Sequence, residues 1–182
     1  GVVRPFATDK MQYEGEMSFS QNSADLKTAV IKDFVIKDLD PDFFFASRVE
    51  KIKVTSYASI EGDTAYNDTL SVKRSNEATD YLISKLKKYK ELDISQMKIE
   101  SSGKGEAFDN CIKLLKNYQR SLPKGKDNDD LVNLLNQNYL NRDKFEMELK
   151  KLPIYNTYIK DTLLPLLRRS FFDVYIQTNP IA

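Results

Sequence analysis

The chain has 182 residues, of which 41% are hydrophobic and 30% charged, a composition typical of a globular protein with a sizeable core. Its 28 basic and 27 acidic residues leave a net charge of +1, so no bulk charge favours nucleic acid or an anionic membrane as a partner. Histidine is absent, which excludes Ser-His and Cys-His catalysis and His-ligated zinc. The single cysteine, Cys111, excludes an internal disulfide and is predicted to pack in the core.

The N-terminal part of the chain predicts an extended segment, a strand and a helix. Residues 1 to about 15 have mixed polarity and are predicted to form an extended lead-in. Met17 and Phe19 then alternate with polar residues, as in a half-buried strand. Ser23 offers a helix N-cap, and apolar residues at helical spacing predict a helix over Leu26–Leu39.

The middle of the chain predicts a strand, a long helix and a second strand. The stretch "VEKIKVTSY" (49–57) is typical of a central strand, and Gly62 with Asp63 makes a turn. A helix is predicted from about Ala65 to Tyr89, and "MKIESSGKGE" (97–106) is a strand that ends in a glycine-punctuated loop. A right-handed crossover between two parallel strands is the natural connection.

The remaining chain is predicted to be helical until a final strand. Three helices are expected around Cys111–Arg120, Asp129–Tyr139 and Arg142–Leu152, and a fourth helical patch over 155–167 is ended or kinked by Pro165. "RRSFFDVYIQT" closes the chain as a strand. No linker or repeat interrupts the pattern, so residues 1–182 are expected to form a single domain.

No apolar run approaches the 18 or so residues that a membrane-spanning helix needs. No secretion signal is visible at the N-terminus, and an export signal is expected to have been removed.

The long predicted helix carries polar residues on the face that should be buried. At 100° per residue, Asn67, Ser71 and Arg74 fall in the same arc as the apolar positions further along the helix. A helix N-terminus presents free N–H groups, and Arg74 adds a fork of donors that matches a carboxylate. The residues therefore predict an anion pocket at the start of the helix. The structural alternative is that Arg74 pairs with an internal carboxylate while Asn67 caps the helix.

This stretch resembles the outer-membrane protein A-like (OmpA-like) peptidoglycan-binding domain. That family has a strand with Gly-x-Thr-Asp, then Gly, Tyr-Asn, Leu-Ser-x-x-Arg-Ala and Tyr-Leu. The matching positions here, without a gap, are Ser56–Ser59, Gly62, Tyr66-Asn67, Leu70-Ser71, Arg74 and Tyr81-Leu82. "MSFSQNSADL", with Asn22, is similar to the first strand of the family, and "IESSGKGE" to its Gly-x-Gly-Glu loop.

The variant "YASIEG" and the ending "LLPLLRRSFFDVYI" are most similar to OmpA-like proteins of the Bacteroidetes, which carry a helical insertion after Gly-x-Gly-Glu. The resemblance implies an α+β fold, a βαβαβ-type two-layer sandwich with a mixed sheet and helices on one face. Residues 107–165 would be the extra helical insertion before the last strand.

The resemblance also implies a function, which is non-covalent binding of diaminopimelate in the peptidoglycan stem peptide. In the family, the Asp of Thr-Asp meets the ammonium of the ligand and the Arg meets its carboxylate. Arg74 is present here, but Ser59 stands at the Asp position, so the ammonium lacks its ionic partner. A hydrogen bond to a charged group is worth roughly 1.5–3 kcal/mol. Glu61, or less readily Asp63, could replace the missing carboxylate.

Two functional hypotheses follow, and an enzyme is not expected because no catalytic motif is present. In the first, the chain is a periplasmic binding module of the outer membrane that contacts peptidoglycan. In the second, it keeps the fold but binds a protein partner, as an assembly component of an outer-membrane or surface-appendage complex. No cofactor, metal or nucleic acid is expected in either case. The predicted ligand-binding residues are Asn22, Ser59, Glu61, Asn67 and Arg74.

Overall fold

A mixed six-stranded sheet forms one layer of the molecule. The structure is a computed structural model and describes residues 9–36, 47–137 and 141–178. The strands are β1 (Asp9–Ser18), β2 (Val30–Lys32), β3 (Ser47–Ala58), β4 (Leu92–Asp93), β5 (Lys98–Glu106) and β6 (Arg169–Thr178). Their order is β2-β1-β6-β3, and the far edge of β3 pairs first with β4 and then with β5. The chain is thus α+β with the expected mixed sheet, consistent with a two-layer α/β sandwich.

The pairing of the strands explains why the sheet is mixed. The final strand β6 lies between β1 and β3 and is antiparallel to both. Strand β5 is parallel to β3, as the strand–helix–strand crossover requires. The ends of β3 and β5 that precede the helices therefore lie side by side, and this edge carries the site described below.

The helix between β3 and β5, α1 (Thr64–Lys87), packs on the sheet. Asp63 is its N-cap, since its carboxylate accepts a hydrogen bond from the Tyr66 N–H. Three apolar residues of the second half of α1, Ala78, Leu82 and Leu86, are buried against side chains of β3 and β6. The first half of the same face buries polar residues, as the helical wheel predicts.

The described residues between β5 and β6 are mostly helical, as expected, and form a hydrophobic cluster of their own. Residues 138–140, where the predicted helix Asp129–Tyr139 ends, lie outside the described residues. The described part contains α2 (Phe108–Ser121), α3 (Lys126–Asn136), α4 (Arg142–Lys150), a π-helix (Tyr155–Leu163) and a short 3₁₀ helix (Leu164–Leu167). The cluster includes Cys111, Leu115, Leu131 and Phe145, and it reaches the sheet module at Ile60. Hereafter residues 107–165, the predicted insertion, are called the helical segment, and the 3₁₀ helix continues two residues beyond it.

Near the N-terminus, the predicted strand begins earlier than expected and the predicted helix is wrong. The predicted extended lead-in contains most of the ten-residue strand β1, which pairs with β6 along its whole length. The predicted helix over 26–39 is absent from its described part, where turns lead into the short edge strand β2. The β-branched residues Val30 and Ile31 pair with β1 there, so sheet formation prevails over the helical spacing. Residues 37–39 lie outside the described residues.

Candidate functional site

Arg74 lies on the buried face of α1 and is only 1% exposed. Its Nε donates to the carbonyl of Ser23 at 2.9 Å, its Nη2 to the carbonyl of Ser20 at 3.1 Å, and its Nη1 to the carbonyl of Tyr57 at 3.0 Å. All three guanidinium nitrogens therefore have main-chain acceptors. These contacts do not support the alternative in which Arg74 pairs with an internal carboxylate.

Glu61 follows β3 and is also buried, with 7% of its surface exposed. Its Oε1 forms an ion pair of 2.7 Å with Arg168, which precedes β6, and accepts a hydrogen bond from the Ser59 hydroxyl at 3.1 Å. Its Oε2 accepts from the Gln21 side chain at 2.7 Å. Both carboxylate oxygens are thus occupied, and Glu61 is not free to meet a ligand ammonium in this conformation.

Asn67 connects the turn after β3 to the end of β5. Its side-chain amide donates to the Glu61 carbonyl at 2.8 Å and to the Glu106 carboxylate at 2.7 Å. Asn67 therefore does not cap α1, a role that belongs to Asp63. The effect of these two bonds is to fix the start of α1 against both parallel strands.

The five residues predicted from the sequence line one small cavity. It is also lined by Gln21, Leu70 and Arg168, and its volume is about 10 Å³. A cavity of this size holds about one water molecule. The structure thus brings Asn22, Ser59, Glu61, Asn67 and Arg74 together, but an amino acid the size of diaminopimelate does not fit there in this conformation.

Two larger cavities flank the small one. The first, of about 330 Å³, is lined by Gln21, Asn22, Glu61, Gly62, Lys150, Tyr155 and Lys160. The second, of about 530 Å³, is lined by Asn22, Ser23, Ala24, Asp25, Tyr66, Leu70, Lys73, Asn76 and Glu77. Asn22 lines all three cavities, so the turn that contains it lies where they adjoin one another.

Burial changes the acidity of two groups at this site. It lowers the pKa of Arg74 to about 10, with a further contribution from the positive charge of Arg168. Arg74 therefore stays protonated at neutral pH. Burial also raises the pKa of Glu106, and the negative charges of Asp143 and Glu146 act in the same direction. The Oε1 of Glu106 is buried without a hydrogen-bond partner in the described part of the chain.

The site brings fixed charges of both signs close together. The positive charges are the buried guanidinium group of Arg74 and the partly buried one of Arg168, and the negative charges are the buried carboxylates of Glu61 and Glu106. Within residues 9–36, 47–137 and 141–178, no group of three or more His, Cys, Asp or Glu side chains could hold a metal ion.

Sequence reasoning missed three residues that shape the site, namely Gln21, Glu106 and Arg168. Arg168 had a usable signal, because two consecutive arginines stand at the start of the last strand and neighbouring residues of a strand point to opposite faces of the sheet. Glu106 also had a signal, since it ends the Gly-x-Gly-Glu loop. No signal indicated that Gln21 would reach Glu61, because the two residues are 40 positions apart.

No protein-family model, curated protein or solved structure matches this chain. The helices within the described residues are all too short or too polar to cross a bilayer.

Proposed function

We propose that this chain is a non-enzymatic binding module of the bacterial cell envelope, of the OmpA-like type, on the periplasmic face of the outer membrane. Its ligand is the peptidoglycan stem peptide, contacted non-covalently through a carboxylate of diaminopimelate at Arg74. One observation carries the proposal: the five residues predicted from the sequence, which come from the turn after β1, the turn after β3 and helix α1, line a single cavity.

The contacts around the cavity support weak binding. Ser59 replaces the expected Asp, and the nearest carboxylate, that of Glu61, is already bound by Arg168. A ligand ammonium would have to compete with the partly buried guanidinium group of Arg168 for that carboxylate. The loss of one charge-assisted hydrogen bond corresponds to roughly a ten- to hundredfold weaker complex.

A second candidate function has its own supporting observation. The ion pair between Glu61 and Arg168 joins the turn after β3 to the end of the helical part of the chain, and the helical segment packs on Ile60 with a core of its own. A helical segment fixed in this way beside the cavity favours a protein partner. The chain would then be an assembly component of an outer-membrane or surface-appendage complex.

Co-sedimentation with purified peptidoglycan sacculi tests the proposal. The wild-type chain should be retained at low salt and released by free meso-diaminopimelate. A double variant, Ser59→Asp with Glu61→Gln, moves the carboxylate to the position that the resemblance implies and leaves the charge of the site unchanged. We expect roughly tenfold stronger retention of this variant, the scale of one charge-assisted hydrogen bond.

Glu61→Gln alone is the matched control, because it removes the carboxylate without relocating it. It should bind more weakly than the double variant, provided that thermal unfolding shows both variants to be folded. If neither the wild type nor the folded double variant is retained at any salt concentration, the peptidoglycan proposal is wrong and the protein-partner function is favoured.

A further inference from the structure

We propose that residues Ser20–Ser23, here called the strap, form an autoinhibitory contact that occupies Arg74 in place of a ligand carboxylate. The inference rests on the proposed binding role of Arg74 and adds a mechanism that controls access to it. It depends on the contacts of Arg74 with the strap, the attachment of the strap to Glu61, and the space on either side.

The strap occupies the donors of Arg74 that could bind a carboxylate. Nε and Nη2 lie on the same edge of a guanidinium group and form one of its two-pronged donor forks. In this structure the fork is filled by two main-chain carbonyls, those of Ser23 at 2.9 Å and Ser20 at 3.1 Å. A carboxylate presents two oxygens to the same fork and carries a negative charge, so it can replace both carbonyls with stronger, charge-assisted bonds.

The residue that precedes the strap is held firmly to the rest of the protein, whereas the strap itself makes few contacts. Phe19, which precedes the strap, is buried, its N–H donates to the Arg168 carbonyl at 2.8 Å, and its ring lies 5.3 Å from the Arg74 guanidinium carbon. Within the strap, the side chain of Gln21 reaches Glu61 at 2.7 Å. Outward movement of the strap thus requires the loss of the Gln21 bond and of the two Arg74 bonds.

The space around the strap is already open on both sides. The cavities of about 330 and 530 Å³ meet at Asn22, and the small cavity that holds Arg74 lies between them. Displacement of the strap would join the three into one groove with Arg74 on its floor. Asn22 has a φ of 57°, in the left-handed region that few residues other than glycine adopt readily.

Only molecules with an open strap can bind a carboxylate at Arg74. The apparent affinity for the ligand is therefore the affinity of the open site multiplied by the fraction of molecules in which the strap is open. A strap open in about one molecule in a hundred makes binding about a hundredfold weaker than the open site would allow. Any change that loosens the strap without touching Arg74 should therefore increase affinity for carboxylate ligands.

The test compares variants that loosen the strap with variants that do not. Gln21→Glu places a second carboxylate against Glu61 and should loosen the strap, while Gln96→Glu makes the same change at an exposed position elsewhere. Asn22→Val disfavours the left-handed backbone, whereas Asn22→Gly removes the same side chain and permits that backbone. The second pair covers the case in which Gln21→Glu fails to fold.

The readouts are amide hydrogen exchange of residues 20–25 and the dissociation constants of two probes. The probes are meso-diaminopimelate, which represents the stem peptide, and acetyl-dialanine, which presents the terminal carboxylate of a peptide. We expect Gln21→Glu and Asn22→Val to exchange faster at the strap and to bind at least one probe about tenfold more tightly. Gln96→Glu should match the wild type in both readouts. Asn22→Gly is compared with Asn22→Val, which lacks the same side chain, and should exchange more slowly at the strap and bind the probes more weakly than that variant.

The outcomes separate this inference from the proposed function. Faster exchange without tighter binding of either probe would overturn the inference, even if wild-type retention on sacculi upholds the proposed function. Tighter binding of acetyl-dialanine by the loosened variants, with no retention of any variant on sacculi, would support the strap while rejecting peptidoglycan as the ligand.

Discussion

At the scale of single residues, the site depends on buried charges that are satisfied from within the chain. Arg74 has three carbonyl acceptors, and Glu61 is bound by Arg168, Ser59 and Gln21. Removal of either charged side chain would leave its buried partners without a hydrogen bond and destabilise the fold. In an Arg74→Ala variant, loss of binding could therefore not be distinguished from loss of stability. Glu106 differs, because one of its oxygens is buried with no partner among the described residues.

Glu106→Gln is expected to stabilise the protein at neutral pH by about 1 kcal/mol, because it removes a poorly compensated buried charge and keeps an acceptor for Asn67. In the unfolded chain, the Glu106 carboxyl group titrates with its ordinary pKa of 4.5. In the folded protein, burial raises the pKa of this group. The folded state therefore retains a proton that the unfolded state has lost, and wild-type stability falls as the pH rises through this interval.

Urea unfolding of the wild type and of Glu106→Gln between pH 4 and 8 measures this effect. The two proteins should have similar free energies of unfolding at the acid end of the range and diverge as the pH rises. Glu77→Gln, at an exposed position of α1, is the control and should show no such divergence. A Glu106→Gln variant that is less stable than the wild type at pH 7 would show that the charge of Glu106 is well compensated.

The candidate site residues could be found from the sequence because they follow a helical period and a local motif. Asn67 and Arg74 are seven residues apart, two turns of one helix, so their common face follows from spacing alone. The partners of Arg74 could not be found in this way. They are main-chain carbonyls, two of them in a turn some fifty residues earlier and one, that of Tyr57, at the end of β3, and a carbonyl carries no signature in the sequence.

At the scale of secondary-structure elements, the site depends on close contact between α1 and β5. A Cβ atom at Gly103 would lie 2.4 Å from the backbone nitrogen of Val72. Only glycine allows the helix to approach the strand so closely. The nearby Gly105 N–H donates to the Ser71 hydroxyl at 2.8 Å, which fixes the same contact with a hydrogen bond.

Gly103→Ala is expected to lower the free energy of unfolding by about 2 kcal/mol, because the added methyl group meets backbone atoms that cannot rotate away. Chemical denaturation gives the value, and Ser102→Ala at the neighbouring position should change stability by less than about 0.5 kcal/mol. A Gly103→Ala variant as stable as the wild type would show that α1 can move away from β5 at little cost.

The central elements were predicted well and the edge elements poorly, for a physical reason. Strand β3 and helix α1 are close to their predicted ranges because their apolar residues have a clear period and face one core. Strand β2 has only three residues, and it exists through pairing with β1. A strand that forms only through pairing with a neighbouring strand has little strand-forming pattern in its own sequence.

At the scale of the whole molecule, two hydrophobic clusters meet beside the candidate site. One lies between the sheet and α1, and the other lies within the helical segment. Arg168 and Glu61 form an ion pair where they meet, and the strap covers Arg74 nearby. The sequence predicted the helical segment and its place before the last strand, but not that a residue beyond its end would bind Glu61.

The most direct test is an NMR titration with meso-diaminopimelate that follows the Nε–H signal of Arg74 and the amide signals of the strap. If Arg74 is the carboxylate site, these signals shift together and saturate as the ligand replaces the carbonyls of Ser20 and Ser23. If they remain unchanged at about 10 mM ligand, ten times a millimolar dissociation constant, the ligand does not reach Arg74 and the central claim is wrong.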